Sequence, residues 1–181
     1  EIIAEDGGIT SFYFECTECA HVIGKLPKSA GVLENRYLAN STHVADLAFY
    51  LGGRPMQLCA FTAGLLDWHP VASVFSGAGV SNSGALFSYQ ANWESAGRWS
   101  VEVLTRQHRL ILRPMEKLQI QKRGSVAVEF VDCDGSLDEQ FKPGLYLQTK
   151  DFLNGTNKDL CSIHYQSEMM DAYCKIAGYA T

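Results

Sequence analysis

The chain has 181 residues, a length that one domain fills, and at 46% hydrophobic and 19% charged it can build one core. Its net charge of −5 argues against a nucleic-acid partner, which needs clustered Lys and Arg. No apolar run approaches the roughly 18–20 residues of a membrane span.

In chain order, residues 9–19 (ITSFYFECTEC) are aromatic and rich in β formers, and predict a strand. Residues 20–33, with Gly24, Pro27, Ser29 and Gly31, predict a loop. From about Asn40 to Leu51 the period becomes helical: Val44, Leu47, Ala48 and Leu51 form a stripe, and Gly52-Gly53 before Pro55 is a stop. The period then drops to two. MQLCAFTA, ASVFSG, ALFSYQANW, WSVEVLT, RLILRP, KLQIQK and VAVEFVD are short runs parted by turn residues. In ALFSYQANW, Phe87, Tyr89, Ala91 and Trp93 share one face. Lys117 to Arg123, the densest basic stretch, is a strand with one solvated face. Strands so closely spaced leave no room for crossover helices, so the sheet is mostly antiparallel. Near Pro143 the helical period returns, and Leu160, Ile163, Met170, Tyr173 and Ile176 outline a terminal helix. The predicted class is α+β: one domain, residues 1–181, with an open, mostly antiparallel sheet of roughly six to eight strands and helices on one face.

The chain opens Glu1-Ile2-Ile3, with neither Met nor a signal segment, and is expected to be a mature fragment or a cut piece. Six scattered cysteines form no dense framework, so a reducing cytoplasm is the expected location. Asn40-Ser41-Thr42 and Asn154-Gly155-Thr156 fit the glycosylation pattern, which is short enough to recur by chance.

Three stretches invite chemistry. Gly77-Ala78-Gly79-Val80-Ser81-Asn82 lacks the third glycine of a dinucleotide fingerprint and precedes a strand instead of a helix; it is read as a hairpin loop, with no cofactor-binding residue. Cys16, Cys19 and His21 could supply three zinc ligands, but no second Cys-x-x-Cys completes a structural site, and residues three apart on a strand point to opposite faces. The reading is no metal. On the helix, Asn40, His43 and Asp46 form a polar row beside the apolar stripe. Such a row can project into a cleft with His43 as proton shuttle, or Asn40 or Ser41 can cap the helix with His43 half-buried.

The run HVADLAFYLGGRP resembles the helix that opens the second domain of the glucose–fructose oxidoreductase/inositol dehydrogenase (Gfo/Idh/MocA) family. Members usually carry Asp-x-x-x-His there, then Asp-Leu and a Gly before a strand. The initial Gly-Ile-Thr-Ser-Phe strand, the meander, the Lys142-Pro143-Gly144 loop and DFLNG before a last helix follow the family's order. By that resemblance His43 is the catalytic or substrate-orienting histidine. The position usually held by Asp is Ala39, and Asn40 beside it could take over substrate binding, though not as the same acid or base. Arg36, Tyr37 and Trp93 are further substrate-binding candidates, chosen because Arg meets anionic groups and aromatic rings stack on sugar faces.

The resemblance implies a carboxy-terminal domain that forms the substrate site and subunit interface of an oxidoreductase acting on a sugar or sugar derivative. NAD or NADP would be bound mainly by an amino-terminal dinucleotide-binding (Rossmann) domain, which also carries the family's Glu-Lys-Pro lysine. The chain alone is then expected to be inactive. Its expected partners are that domain, a sugar-like substrate and a second copy packed on the open sheet face. The alternative is a non-catalytic assembly module of the same fold.

Overall fold

The computed structural model describes residues 1–156 and 160–179. The chain begins with α1 (Ile2–Glu5), β1 (Ser11–Glu15), α2 (Ala20–Ile23) and α3 (Ala30–Glu34). A π-helical turn, Tyr37–Ser41, leads into α4 (Thr42–Gly52). Seven strands follow: β2 (Pro55–Ala63), β3 (Val74–Ser81), β4 (Leu86–Asn92), β5 (Ser100–Leu104), β6 (His108–Leu112), β7 (Leu118–Lys122) and β8 (Val128–Phe130). The chain closes with α5 (Ser136–Gln140), α6 (Leu145–Asn154) and α7 (Ile163–Ala177).

One sheet holds all eight strands in the order β2-β3-β4-β1-β5-β6-β7-β8, and β1 with β4 is its parallel pair. Alternation decides its faces. Phe12 and Phe14 of β1 register with Phe87 and Tyr89 of β4 and with Val103 and Val101 of β5, all of them buried. Helix α4 covers β1 and β5, and α7 covers β2 and β3, so the class is the α+β fold expected. Phe49 sets its ring edge-on against Phe12, Phe14 and Phe87, an arrangement that adds to the area it buries.

Several expectations shift in detail. The first strand stops at Glu15, although Cys16 still donates its N–H to the Gln90 carbonyl, and the chain then turns to bring Glu18 to Ser41 of the π turn. The stretch 20–33, expected as a loop, carries α2 and α3. In α4 the buried stripe is Val44, Ala45, Ala48, Phe49 and Gly52, with Leu47 and Leu51 on its flank. In α7 Met169, Tyr173, Ile176 and Ala177 face inward, while Met170 and Ile163, expected in the stripe, are exposed.

The glycine-rich stretch is also corrected. Gly77 and Gly79 lie inside β3, and the turn comes later, at Asn82–Gly84. They sit across from Tyr89 and Phe87. A β-carbon at Gly77 would stand 2.4 Å from the Tyr89 hydroxyl, and one at Gly79 would stand 2.6 Å from the Phe87 ring. These glycines make room for the rings of β4 and for the Cys59 and Gln57 carbonyls of β2.

A buried histidine ties the chain's end to this core. His69 Nδ1 lies 2.6 Å from the Ala72 carbonyl oxygen, which must accept, so Nε2 is left to accept from the Tyr179 hydroxyl at 2.8 Å. The Tyr179 oxygen in turn accepts from the Tyr37 N–H at 3.1 Å.

Candidate functional site

Because β1 and β4 run parallel, the segments that follow them leave the sheet at the same end. The amino-terminal end of α4 lies there too, since Ser41 reaches Glu18 while Phe49 lies back over Phe12 and Phe14.

Glu18 organises this end. It is only 3% exposed, a burial that reading residues 9–19 as a strand does not signal. Its Oε1 accepts from Asn40 Nδ2 at 2.7 Å and from Ser41 Oγ at 2.9 Å, and Arg36 Nη2 stands 3.6 Å from Oε2. Charge-assisted bonds of this kind satisfy a carboxylate that would otherwise be costly to bury. The network explains why neither Asn40 nor Ser41 caps the helix. Both side chains turn to Glu18, and the π turn carries the chain straight into α4. Arg36 Nε is buried with no partner among the described residues.

His43 projects from the next turn and is exposed. Its ring centroid lies 6.4 Å from that of Trp99, in the loop before β5. It lines a cavity of about 450 Å³ together with Asp46, Tyr50, Cys161 and Tyr165. Asp46 is fixed there, accepting from the Tyr173 hydroxyl at 2.9 Å and from Gln166 Nε2 at 3.2 Å. Burial, followed by the charge of Asp46, pushes the Tyr165 phenol up to about 12, so it stays protonated at neutral pH.

Of the residues singled out in the sequence, Arg36 and Asn40 converge on Glu18, and His43 follows one turn on. Tyr37 and Trp93 do not join them at the surface: both are core residues, 0% and 1% exposed. Trp93 stacks with Trp68 and donates its Nε1–H to the Cys16 carbonyl at 3.1 Å. Cys16 is buried with its thiol 3.9 Å from the Tyr37 hydroxyl, and burial pushes that thiol up to about 12, whereas Cys19 is exposed. Among the described residues no three His, Cys, Asp or Glu side chains converge to hold a metal. No helix among them is long and apolar enough to cross a membrane. A dinucleotide does not fit the glycine-rich strand, whose space is taken by Tyr89 and Phe87.

Solved structures share this fold. UDP-N-acetylglucosamine 3-dehydrogenase GnnA from Acidithiobacillus ferrooxidans superposes with a TM-score of 0.68 over 93% of this chain, at 16% identity, and 52% of its own length is covered. Levoglucosan dehydrogenase in complex with NADH and levoglucosan matches 97% of the chain and 52% of its own length, at 17% identity and a TM-score of 0.57. The dehydrogenase MviM from Clostridium difficile matches 93% of the chain at 13% identity and a TM-score of 0.66, with 54% of its own length covered. No protein-family model and no curated protein matches the sequence. The chain thus has the fold of about half of each of these oxidoreductases and spans about half their length.

Proposed function

We propose that the chain is the carboxy-terminal, substrate-bearing half of a Gfo/Idh/MocA-family oxidoreductase that acts on a sugar or sugar derivative in the cytoplasm. The observation that carries this reading is His43. It is an exposed imidazole on the helix where the resemblance puts the family's histidine, beside a cavity, in a fold shared with sugar dehydrogenases. NAD or NADP, held mainly by a separate Rossmann domain, would supply the hydride chemistry. His43 orients the reacting oxygen or exchanges a proton with it. The Asn40 amide nitrogen is taken by Glu18, which leaves its carbonyl oxygen to accept from a substrate hydroxyl. Arg36 holds this segment in place through Glu18, and Tyr37 and Trp93 support it from the core.

Steady-state kinetics of the full-length protein with NAD or NADP and a panel of sugars tests the reading. His43→Ala should lower kcat by about 10²–10⁴-fold with the fold unchanged. Full-length protein that turns over no sugar with either cofactor would sink the proposal. The 181-residue chain by itself should bind neither NAD nor NADP in calorimetry, and micromolar binding would overturn the division of labour.

One observation favours a second reading, an assembly module whose chemistry has lapsed. Ala39 stands where the resembled family has its Asp, and Asn40 is engaged with Glu18. In that case the full-length protein would associate but stay silent in the kinetic assay.

A further inference from the structure

A second cavity, of about 670 Å³, opens at the same end of the sheet as His43. It is lined by His21 after β1, by Asp67 and Trp68 between β2 and β3, and by Trp93 and Glu94 after β4. The three segments meet because β2 and β4 both run antiparallel to β3, which brings their carboxyl ends together beside that of β1. The volume falls within the roughly 300–1,000 Å³ of small-molecule sites.

We propose that this cavity is a subsite for a second polyol ring, so that the substrate is a disaccharide or other glycoside, not a free monosaccharide. The inference rests on the sugar oxidoreductase reading above. Trp68 is half-buried, with Gly24 packed against its Cδ1 and Nε1 atoms, and stacks on Trp93 with ring centroids 5.9 Å apart and planes 11° from parallel. Trp93 is itself pinned by its bond to the Cys16 carbonyl, so the platform is set before a ligand arrives. The electron-rich face of an indole suits the C–H-bearing face of a pyranose. Around it stand acceptors for hydroxyl groups. Asp67 is exposed, and Glu94 accepts from Ser73 Oγ at 2.5 Å through Oε2, which leaves its other oxygen open. Two carboxylates would repel a diphosphate, so the chemistry favours a neutral ring over the nucleotide end of a nucleotide sugar. One loop joins the two sites. Trp93 and Glu94 line the cavity at its start, and Trp99 stands beside His43 at its end. A substrate lying along this loop would set its reacting ring at His43 and its second ring on Trp68.

The test uses the full-length protein labelled with 5-fluorotryptophan and read by fluorine NMR. The chain's three tryptophans are assigned by single Trp→Phe variants. Trp99 reports on His43 and Trp68 on the second cavity. The probes are glucose and methyl glucoside against maltose, cellobiose, lactose and sucrose. A disaccharide should move both resonances, and a monosaccharide Trp99 alone. Trp68→Ala should weaken disaccharide binding by roughly tenfold, with monosaccharide affinity unchanged. Asp67→Asn, at an exposed position, should weaken it less. A disaccharide that moves Trp99 but not Trp68, or that binds Trp68→Ala undiminished, overturns the second subsite and leaves the proposed function standing. If no probe moves Trp99, the proposed function falls with it.

Discussion

The two halves of the sheet are written in the same alternating pattern and end in different surroundings. From β2 to β5 one face lies beneath α4 and α7, and Phe14, Phe75 and Val101 are fully buried there. From β6 to β8 the cover thins: Leu110 is nearly buried, Leu118 and Ile120 are half-buried, and Glu129, which shares their face on β8, is exposed. The nearby helices do not repair this. α5 and α6 stack on each other through Phe141 and Tyr146, and Phe152 and Leu153 stay exposed. Alternation therefore sets which side chains share a face, and the number of helices available sets which faces are covered.

The sharpest way to break that contrast is in the covered half. Phe14 stacks on Tyr89 at 5.3 Å and meets Phe49 edge-on. Phe14→Ala should cost about 3–5 kcal/mol, through lost transfer energy and the cavity left behind. Urea unfolding checks this, and a loss below about 1 kcal/mol would mean that the core is not the source of stability. Next comes Glu18→Ala, which strands the Arg36 guanidinium. Removing one partner of a buried pair should cost about 3 kcal/mol, less than Phe14→Ala only if water reaches Arg36. Glu18→Gln, which keeps an acceptor for Asn40 and Ser41, should cost less than the alanine.

These two positions also mark how far the sequence was legible. Phe14 lies in a segment readable as a strand, but Phe12-Tyr13-Phe14 is aromatic throughout and period does not orient it; the Phe87–Tyr89–Ala91 face could be placed from period alone. Glu18 could not, since its burial depends on Asn40 and Ser41, which lie 22 and 23 residues further on. Its one local sign is the doublet Asn40-Ser41 before an apolar helix, a pattern that reads equally well as a cap. Gly77 and Gly79 misled for a similar reason: in sequence they resemble a turn, and only the facing rings of β4 show what they accommodate. For His43 the sequence left a projecting and a half-buried reading open and the structure exposes it, whereas Trp68 and Glu94 acquire their places from loops far along the chain.

A subtler probe of the covered half is pH. His69 is ringed by Phe75, Trp93, Trp68 and Tyr179, and burial lowers its pKa below the ordinary value of about 6.5. The folded chain therefore binds the proton less readily than the unfolded chain. The stability this contributes is complete above about pH 6.5 and is lost as pH falls from there through the lowered folded value. Protonation also turns Nε2 into a donor, so the Tyr179 hydroxyl can no longer donate to it. Thermal unfolding between pH 7.5 and 5 should show a falling midpoint that flattens in His69→Gln. An unchanged slope in that variant would remove His69 as the cause.

The smallest effect on folding is expected on the open face of the sheet, and it should come with a change in assembly. On the open face of the sheet, Phe61 and Leu86 lie toward one edge and Val128 and Phe130 toward the other. Between them run charges already paired within the chain: Arg109 with Glu102 at 2.5 Å and with the Tyr13 hydroxyl at 3.0 Å, and Arg113 with Glu15 at 3.6 Å. A face of this make-up can tolerate water, since antiparallel sheets commonly expose one side. It also suits a second copy, because its charges need no new partners and its apolar margins gain by burial. We propose that pairing, and sedimentation at micromolar concentration should show a species near twice the 20.0 kDa chain mass. Phe61→Ser and Phe130→Ser, at side chains 71% and 66% exposed, should each leave folding stability within about 0.5 kcal/mol. Together they should shift the sedimenting species to the monomer. A wild-type chain that stays monomeric, alone and joined to the Rossmann domain proposed above, would show that the open face is simply solvated.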